Sequence, residues 1–504
     1  MPCQRASSWR KRGRRRDRDG TEEQKTGDPP AIRLFDSATR AVRPFAPLEP
    51  GTVRIYDCGP TVWSPQHIGN LYRYIVADVI RRSFEHLGYA VMQVMNITDV
   101  GAIMGDVDEG EDRMAVAARR EQRGPLEIAA SYTDAFLSDR RKLNILDPHV
   151  MPKATDHIPE MVALIQRLVA KGHAYAAPDG VYFDISTFPG YGSRLNRELA
   201  EDRIAGARIE VNPNKRNPSD FALWRGAKAD DLQRWDSPWG PGKPGWHIEC
   251  SAMSMKYLGE TFDIHSGGED HLFPHHECEI AQSEAATGKP FVRHWVHVYF
   301  LRVDGGGMHK SIGNVYLLSD LESWGFEPLA FRMFVLGTSY RKGLEFTRDA
   351  LTQAQKRLAR WRSTVVAAAQ STGGALAAPE AADPIAREFQ DAICDDVNTP
   401  VALAAAEAAL GLASAPTDGE RRRSLGLLAQ MDRVLGLGVP DWIAAALAFD
   451  GEERLLLEER AAARAAGGYK RSDELRALLE ARGIRVKDTK DGQRWERIPP
   501  RRPT

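Results

Sequence analysis

The chain has few cysteines and no long apolar segment. Its 504 residues contain five cysteines, too few for a disulfide framework. In a reducing compartment an isolated cysteine is most often a small core residue. No stretch reaches the roughly 18 consecutive apolar residues that a membrane-spanning helix requires. We therefore expect a cytoplasmic protein that has no membrane contact.

The chain also lacks a large net charge of either sign, because 68 Lys and Arg residues face 69 Asp and Glu residues and the formal net charge is -1. This balance hides a basic N-terminal segment, since residues 1–20 contain eight Arg or Lys residues. No apolar run follows it, so it is not a signal peptide. Such a segment is typically a solvated, disordered arm, which we expect for residues 1–30. An RNA-binding arm or an overlong start is the alternative.

Length and composition indicate a globular enzyme of several domains. The hydrophobic content of 42% and the charged content of 27% are ordinary for such a protein. A chain of this length is expected to form about three or four domains. We place an α/β domain at 31–320 with an insertion at about 101–240, helices and a linker at 321–384, a helical bundle at 385–450 and a C-terminal unit at 451–504.

A βαβ unit is predicted just after the basic arm. The segment VRIYDCG (53–59) reads as a buried strand that ends in a turn, and AVMQVMNITDV (90–100) reads as a second strand. Between them, apolar residues recur with a helical period at Leu71, Ile75, Val76, Val79, Ile80, Phe84 and Leu87. Strand, helix and strand in this order indicate a parallel sheet. The apolar pattern returns in FDIHSGG (262–268) and HVYFLRV (297–303).

The C-terminal part reads as mostly helical from about residue 320. The Ala/Gly/Pro-rich stretch 367–384 predicts a loop or linker within it. Residues 467–495 predict a helix that ends at Gly483, a short strand, an Asp-Gly turn and a final Trp. The expected fold class is therefore α/β: a Rossmann-like parallel-sheet domain with a connective insertion, followed by a helical bundle and a small α+β unit.

The tetrapeptide HIGN (67–70) begins the predicted helix of the βαβ unit. His67 and Asn70 lie near the helix N-terminus, where free backbone N–H groups and the helix dipole favour an anion. Gly69 would let a flat adenine or a phosphate approach the backbone. A capping Asn beside a chance His would give the same four letters. The position between a strand and an amphipathic helix favours the binding interpretation.

A possible metal site lies in WHIECSAM and DIHSGGEDHLFPHHECE. His275 and Glu279 are four residues apart, which places them on one face of a helix, as in helical metal sites. Cys250 lies upstream, and Cys58 follows the first predicted strand of the βαβ unit. The carboxyl ends of parallel strands meet in one crevice, so a Cys₂HisGlu zinc site is plausible. These histidines could equally be polar core or surface residues.

Taken together, these motifs resemble those of the cysteinyl-tRNA synthetase family, which belongs to the class I aminoacyl-tRNA ligases. The resemblance runs from about residue 32 to 497. It rests on YDCGPTVW…HIGN, NITDV, WHIECSAM, FPHHE, HKSIGN, DDVNTP and RSDELRALLEARGIRVKDTKDGQRW. This combination is far more specific than a lone HIGH-like tetrapeptide.

The resemblance implies one zinc ion held by Cys58, Cys250, His275 and Glu279. Zinc stabilises a thiolate, whereas the hydroxyl of serine is a poor ligand, so the metal would select cysteine without a separate editing domain. The resemblance also implies a set of residues around the amino-acid substrate: Thr61, Trp246 and His265.

An ATP site and a two-step reaction are implied as well. L-Cysteine would react with Mg²⁺-bound ATP to give cysteinyl-adenylate, and tRNA(Cys) would then take the aminoacyl group. His67, Asn70 and Lys310 would be the catalytic residues, acting by positioning and charge stabilisation. The implied ATP-binding set is Gly59, His67, Gly69, Asn70, Asp270, Lys310 and Ser311. The last residue of the HIGH signature is often His, and Asn70 keeps a hydrogen-bond donor there.

The segment VDGGGMHKSIGN (303–314) resembles the KMSKS loop of the family but departs from it. Gly307 stands where the signature has its first lysine, and His309 replaces its first serine. Lys310 matches the second lysine, which is expected nearest the phosphates. One cation is therefore missing. We expect an active ligase with weaker ATP binding or slower adenylate formation.

In the resemblance, the C-terminal unit binds the anticodon and residues 321–384 contact the tRNA stem. Trp495 could stack on an unpaired base, and Arg485, Lys487 and Arg494 could contact phosphates. The alternative to an anticodon-binding role is that the segment LRALLE in this tail is an ordinary helix whose charges are solvated. We expect a monomer.

Two rival functions stay open. The cysteine ligase of mycothiol biosynthesis shares the catalytic domain and the zinc site, but it joins cysteine to an amino sugar and needs no anticodon-binding tail. A non-catalytic tRNA- or cysteine-binding paralogue would explain the altered loop. Intact metal ligands disfavour that second alternative.

Overall fold

The computed structural model describes residues 31–101, 112–195, 212–229, 231–303, 305–307, 314–380, 382–448, 451–489 and 492–497. Its helices are α1 (Ile68–His86), α2 (Arg113–Glu121), α3 (Pro125–Lys142), α4 (Ile158–Ala170), α5 (Trp246–Leu258), α6 (His275–Thr287), α7 (Leu318–Ser323), α8 (Pro328–Leu336), α9 (Arg348–Thr372), α10 (Pro384–Cys394), α11 (Thr399–Leu412), α12 (Asp418–Leu435), α13 (Val439–Leu447), α14 (Gly451–Ala465) and α15 (Tyr469–Ala481).

The strands form one parallel sheet and several antiparallel or two-stranded ones. They are β1 (Arg33–Asp36), β2 (Ala41–Pro44), β3 (Thr52–Asp57), β4 (Ala90–Met95), β5 (Ala174–Ala177), β6 (Gly180–Phe183), β7 (Phe221–Gly226), β8 (Gly242–Pro244), β9 (Phe262–Gly268), β10 (Val292–Val298), β11 (Leu301–Val303), β12 (Leu344–Phe346), β13 (Ile484–Thr489) and β14 (Gly492–Arg497).

The central sheet is parallel, with the strand order β10-β9-β3-β4. Its strands are rich in apolar and β-branched residues because helices cover both faces of the sheet. The predicted βαβ unit is confirmed, since β3, α1 and β4 follow one another as expected. The apolar stretch 297–303 is not one strand: β10 ends at Val298, and β11 pairs in parallel with β12 instead.

The parallel sheet is interrupted between β4 and β9. There the chain forms α2, α3 and α4, and then a four-stranded antiparallel sheet in the order β5-β6-β7-β8. Helix α5 returns the chain to the parallel sheet. This segment overlaps the insertion predicted at about 101–240, and its last strand, β8, lies just beyond that range.

Helix α1 is buried along most of its length, including the charged residues Arg73, Asp78, Arg81 and Arg82. One side packs on the parallel sheet, and the other packs on α8 and α12. The apolar positions predicted to face the core are buried, from Leu71 to Phe84 and Leu87. Burial of the opposite side was not apparent from the pattern, because it depends on helices that lie hundreds of residues later in the chain.

The C-terminal helices form a bundle that begins earlier than residue 385. Helix α9 continues to Thr372 before Gly373 adopts a left-handed conformation and ends it. The prediction of a loop over 367–384 is therefore wrong for 367–372. Helix α9 packs against α8, α12 and α13, so it belongs structurally to the bundle.

The C-terminal unit consists of α14, α15 and the hairpin β13–β14. A small core of its own joins these elements, made by Leu457, Leu479, Ile484 and Val486. The hairpin also contacts the bundle, because the side-chain amide of Gln370 in α9 donates to the backbone oxygen of Trp495. Nowhere in the described ranges is there a helix both long and apolar enough to cross a membrane.

A buried ion cluster joins α1 to the bundle. Asp78 accepts hydrogen bonds from Arg82 at 2.7 Å, from Arg332 at 2.6 Å and from the backbone of Leu146 at 2.9 Å. Arg332 is fully buried and also donates to the backbone oxygen of Leu435 at 2.6 Å. Burial raises the pKa of Asp78, but the two guanidinium groups outweigh it, so the net pKa shift is downward.

Replacing Arg332 with methionine should lower the free energy of unfolding by about 3–5 kcal/mol. The change leaves the Asp78 carboxylate buried with one cation fewer, and breaking a buried ion pair from one side costs roughly this much. Urea or thermal unfolding measures it. The exposed Arg422 on α12 provides the control, because Arg422→Met should change stability by no more than about 0.5 kcal/mol. Equal losses in both variants would contradict the role of the cluster.

Candidate active site

A cavity of about 860 Å³ opens at the carboxyl end of the parallel sheet. This is the edge at which open α/β sheets bind their ligands. Most of the site residues predicted from the sequence line it: Cys58, Gly59, Thr61, His67, Gly69, Asn70, Trp246, Cys250, Asp270 and His275. Residues from β3, α1, α5 and α6 thus meet around one space.

Four potential metal ligands lie together at the base of this cavity. Cys58 follows β3, Cys250 lies in α5, and His275 and Glu279 occupy one face of α6. One ligand atom from each lies within 4.8 Å of the others, and all four side chains are buried. The structure therefore brings together the four residues that the sequence suggested as a Cys₂HisGlu set.

The donor atoms of this cluster fit a divalent cation. The Oε1 atom of Glu279 is buried and lies 2.9 Å from Nε2 of His275. This contact lacks the geometry of a hydrogen bond, and within the described part of the chain Oε1 has no other hydrogen-bond partner. A buried carboxylate oxygen without a hydrogen bond is costly in a protein interior. Two sulfurs, one imidazole and one carboxylate are a donor set suited to tetrahedral zinc.

The protonation states of the isolated cluster differ from those of a metal site. Burial raises the pKa of Cys58, while a hydrogen bond with Cys58 together with burial raises that of Cys250. Burial alone would raise the pKa of Glu279, but the charges of His265 and His275 outweigh it and lower the pKa to about 2. A cation must therefore displace protons from both thiols to bind, so metal affinity should rise with pH.

Two more histidines lie directly behind the cluster. Cys58, His265, His276 and Glu279 form a second close group that shares two residues with the first. His265 Nε2 lies 3.0 Å from Glu279 Oε2, and the His265 ring stacks on Trp295. His265 is fully buried and contacts Glu279 from behind. Its position beside the substrate side chain stays a prediction.

His276 was not predicted as part of the site. Its Nε2 lies 3.3 Å from the Cys58 sulfur, and its Nδ1 lies 2.8 Å from Nε2 of His297. The His-His pair at 275–276 is the only signal in the sequence. Successive residues of a helix point in different directions, so the pair alone cannot show that both rings face the same cysteine.

The N-terminus of α1 presents His67 and Asn70 to the cavity. The Nδ1 atom of His67 accepts from the backbone N–H of Asn70, and the Asn70 side chain accepts from the backbone of His67, both at 3.3 Å. The capping role that we considered as an alternative is therefore present. It is compatible with ligand binding, because both residues also line the cavity.

Gly59 lies just after β3, packed against the backbone of Asn96, which directly follows β4. Its N–H donates to the side chain of Asn96 at 2.7 Å. A Cβ atom on Gly59 would lie 1.4 Å from the backbone oxygen of Asn96, far inside contact distance. Only glycine therefore fits at this position, next to the candidate ligand Cys58.

Two further polar residues of the cavity region were missed by the sequence analysis. Arg73 in α1 is buried, and its Nη1 donates to the backbone oxygen of Cys58 at 2.5 Å. Glu249 in α5 accepts from the Thr98 hydroxyl at 3.0 Å, and burial raises its pKa to about 8. Both side chains hold the backbone or strand ends that border the cavity.

Other predicted residues lie at the rim or outside the described part. Asp270 is mostly exposed at the cavity mouth. The backbone of Thr61 forms an isolated β-bridge with that of Thr98. Lys310 and Ser311 lie outside the described residues, as does His309. Gly307 lines the cavity, and its backbone oxygen accepts from the Asn314 side chain at 2.9 Å.

The predicted tRNA-contacting residues lie in the C-terminal hairpin. Arg485 and Lys487 are exposed and alternate with the buried Ile484 and Val486. Their register partners on β14 are, in turn, Glu496 for Arg485 and Arg494 for Lys487. Trp495 is half-buried and packs on the core of the unit, so only part of its surface is open to a base.

Comparison with known proteins shows to which class of enzyme the chain belongs. Residues 44–356 match the model of the class I (C) tRNA synthetase catalytic domain. A solved structure of Mycobacterium tuberculosis methionyl-tRNA synthetase with methionyl-adenylate shares the fold, with a TM-score of 0.54 at 17% identity over 81% of this chain and 93% of that one. The catalytic domain and its fold are therefore those of a class I aminoacyl-tRNA synthetase.

The family within that class follows from closer relatives. Residues 448–495 match the model of the cysteinyl-tRNA ligase anticodon binding domain. The chain is 42% identical to a cysteine–tRNA ligase of Chlorobaculum tepidum, over 93% of this chain and 99% of that protein. It is 44% identical to one of Thermus thermophilus, over 92% and 98%. The chain belongs to the cysteine–tRNA ligase family.

Replacing Gly59 with alanine should disrupt the cavity wall. The methyl group would force β3 and β4 apart, which should lower the free energy of unfolding by about 1–3 kcal/mol, as overpacking does. Thermal unfolding measures this loss. Gly411 is the matched control, because it lies within α11 with open space around it, and Gly411→Ala should be neutral or stabilising by up to about 1 kcal/mol. Unchanged stability of Gly59→Ala would contradict the close approach.

Proposed function

We propose that this protein activates L-cysteine with ATP and transfers it to the 3′ end of tRNA(Cys). The observation that carries the proposal is the convergence of Cys58, Cys250, His275 and Glu279 at the base of the cavity that α1 opens onto. An amino acid bound there has its side chain at a metal site and its carboxylate toward the N-terminus of α1.

The metal at this site is zinc, held by the two cysteines, His275 and Glu279. When bound, it stabilises a thiolate ligand and so favours cysteine over serine. Trp246 packs against the His275 ring at 4.3 Å between ring centroids and closes the cavity beside it. His265 and Arg73 fix the ligands from behind, through Glu279 and the Cys58 backbone.

The first step is the formation of cysteinyl-adenylate. A carboxylate oxygen of cysteine attacks the α-phosphorus of Mg²⁺-bound ATP, the bond to the bridging oxygen breaks, and pyrophosphate leaves with that electron pair. His67 and Asn70 position the phosphates at the start of α1, where backbone N–H groups and the helix dipole favour an anion. Lys310 stabilises the charge that develops on the leaving pyrophosphate.

In the second step a ribose hydroxyl of the terminal adenosine of the tRNA attacks the carbonyl carbon of the adenylate. AMP leaves, and the hydroxyl proton is lost. Arg485, Lys487 and Arg494 contact tRNA phosphates, and the exposed part of Trp495 contacts a base. The match of residues 448–495 to an anticodon-binding model supports tRNA as the acceptor over the amino sugar of the mycothiol ligase.

Aminoacylation of tRNA(Cys) tests this function. We expect the purified protein to charge tRNA(Cys) with cysteine and to discriminate against serine by about 10⁴-fold or more, as a site built around a specific polar contact does. Glucosaminyl-inositol serves as the alternative acceptor and should not be used. Tight tRNA binding without cysteine-dependent pyrophosphate exchange would instead identify a non-catalytic paralogue.

Loss of a metal ligand should remove both zinc and activity. We expect Cys250→Ser to bind less than stoichiometric zinc and to activate cysteine at least about 100-fold more slowly, the upper limit of the losses seen for outer-shell partners. Metal analysis and pyrophosphate exchange measure these effects. Cys394→Ser is the control, since this half-buried cysteine lies in α10. Full activity in exhaustively chelated protein would refute the zinc assignment.

A further inference from the structure

The phosphate side of the cavity lacks a cation where the family signature supplies one. Gly305, Gly306 and Gly307 precede the remaining lysine, and Gly307 takes the place of the first lysine of the signature. Gly307 nevertheless lines the cavity. A polyphosphate bound beside it would find no side-chain charge at that position.

Arg302 lies close to this gap, on the strand that leads into the loop. In β11 the neighbouring residues Leu301 and Val303 are buried, whereas Arg302 is exposed, because successive side chains of a strand point to opposite faces. Arg302 lines the same cavity as His67, Asn70 and Gly307. Its side chain thus faces the nucleotide side of the site.

The segment that follows the loop is tied to the same place. The backbone N–H of Ile68 donates to the backbone oxygen of Tyr316 at 2.9 Å, and the backbones of His67 and Leu317 form an isolated antiparallel β-bridge. Strand β11 itself contacts α1. The chain therefore enters the loop at β11, and the segment after the loop lies against the N-terminus of α1. Arg302 and the N-terminus of α1 thus border the same part of the cavity.

No carboxylate among the described residues lies within ion-pair distance of Arg302. Its register partner on β12 is Glu345, but Oε1 of Glu345 accepts from the backbone N–H of Gly305 at 2.5 Å. The carboxylate of Glu345 thus binds the start of the loop and does not bind the guanidinium of Arg302. An exposed guanidinium without an acidic partner is available to a ligand.

Each of the other arginines that line the cavity has a partner within the protein. Arg73 donates to the backbone of Cys58 at the metal end. Arg120 is bound to Glu121 at 2.6 Å, and the Arg113 guanidinium lies over the Trp63 ring at 5.7 Å. Arg302 therefore differs from these three in having no such partner within the described part of the chain.

We propose that Arg302 is a substrate-binding residue that contacts the β- and γ-phosphates of ATP and replaces the cation missing at Gly307. This inference rests on the proposed function, because it assigns a residue to the same ATP site. A guanidinium suits the task, since its planar set of donors can bind two phosphate oxygens at once. The chain would thereby retain two cations at the phosphates, Arg302 and Lys310.

Nucleotide binding tests the contact directly. We expect Arg302→Met to weaken ATP binding about 10- to 100-fold, the loss typical of one hydrogen-bonded charge, and to leave adenosine binding within about 2-fold. Arg302→Lys should recover part of the loss. Arg293→Met is the matched control, because Arg293 is an exposed arginine near the start of β10, outside the cavity lining. Its ATP affinity should equal that of the unaltered protein.

A double-variant cycle tests the replacement of the missing charge. In pyrophosphate exchange, Arg302→Met should raise the KM for ATP about 10-fold or more, yet less than about 3-fold when Gly307→Lys is also present. Additive effects, or equal loss of ATP and adenosine binding, would overturn the inference. Absence of exchange in the unaltered protein would contradict the proposed function alone, because the difference between ATP and adenosine binding still decides whether Arg302 contacts phosphate.

Discussion

The parallel pairing of β3 with β9 is the interaction on which the sheet and the candidate site both depend. It continues one residue past β3, where the Cys58 N–H donates to the Ser266 oxygen at 3.2 Å. This bond places the first cysteine beside the strand that leads into α6, and therefore beside His275 and Glu279. Two segments more than 200 residues apart in the sequence become neighbours at the carboxyl end of the sheet.

The site combines groups that are unfavourable to bury one by one. Two thiols, a carboxylate and three histidines are buried together, and one carboxylate oxygen has no hydrogen bond among the described residues. Burial of such groups is costly unless they are paired or bound to a metal. The arrangement therefore makes sense as a preformed cation site, in which the second group of residues fixes the first. Arg73 adds a positive charge next to the backbone of Cys58. Helix α1 thus contributes Arg73 beside the buried cluster and His67 and Asn70 at its own N-terminus.

Much of this organisation could be predicted from local patterns. The helical period of α1, the alternation of strand and helix, and the four-residue spacing of His275 and Glu279 all report contacts within a few turns or within one strand. The helix–strand order of the C-terminal unit was also predicted, although its single expected strand is a hairpin. The extension of α9 into the predicted linker was missed, because the Gly pair at 373–374 ends the helix and the alanines before it favour helix rather than loop.

The sequence by itself therefore determined the elements, the family and the identity of the candidate ligands, since each depends on residue type and short-range spacing. Only the tertiary structure decided which groups meet. It placed His265 behind Glu279, brought His276 to Cys58, and buried Arg332 against Asp78. It also left Arg302 at the cavity without an acidic partner among the residues that the structure describes. These contacts join residues that are far apart in the chain. A local periodicity cannot predict them, because it does not depend on which distant strand or helix packs against the segment.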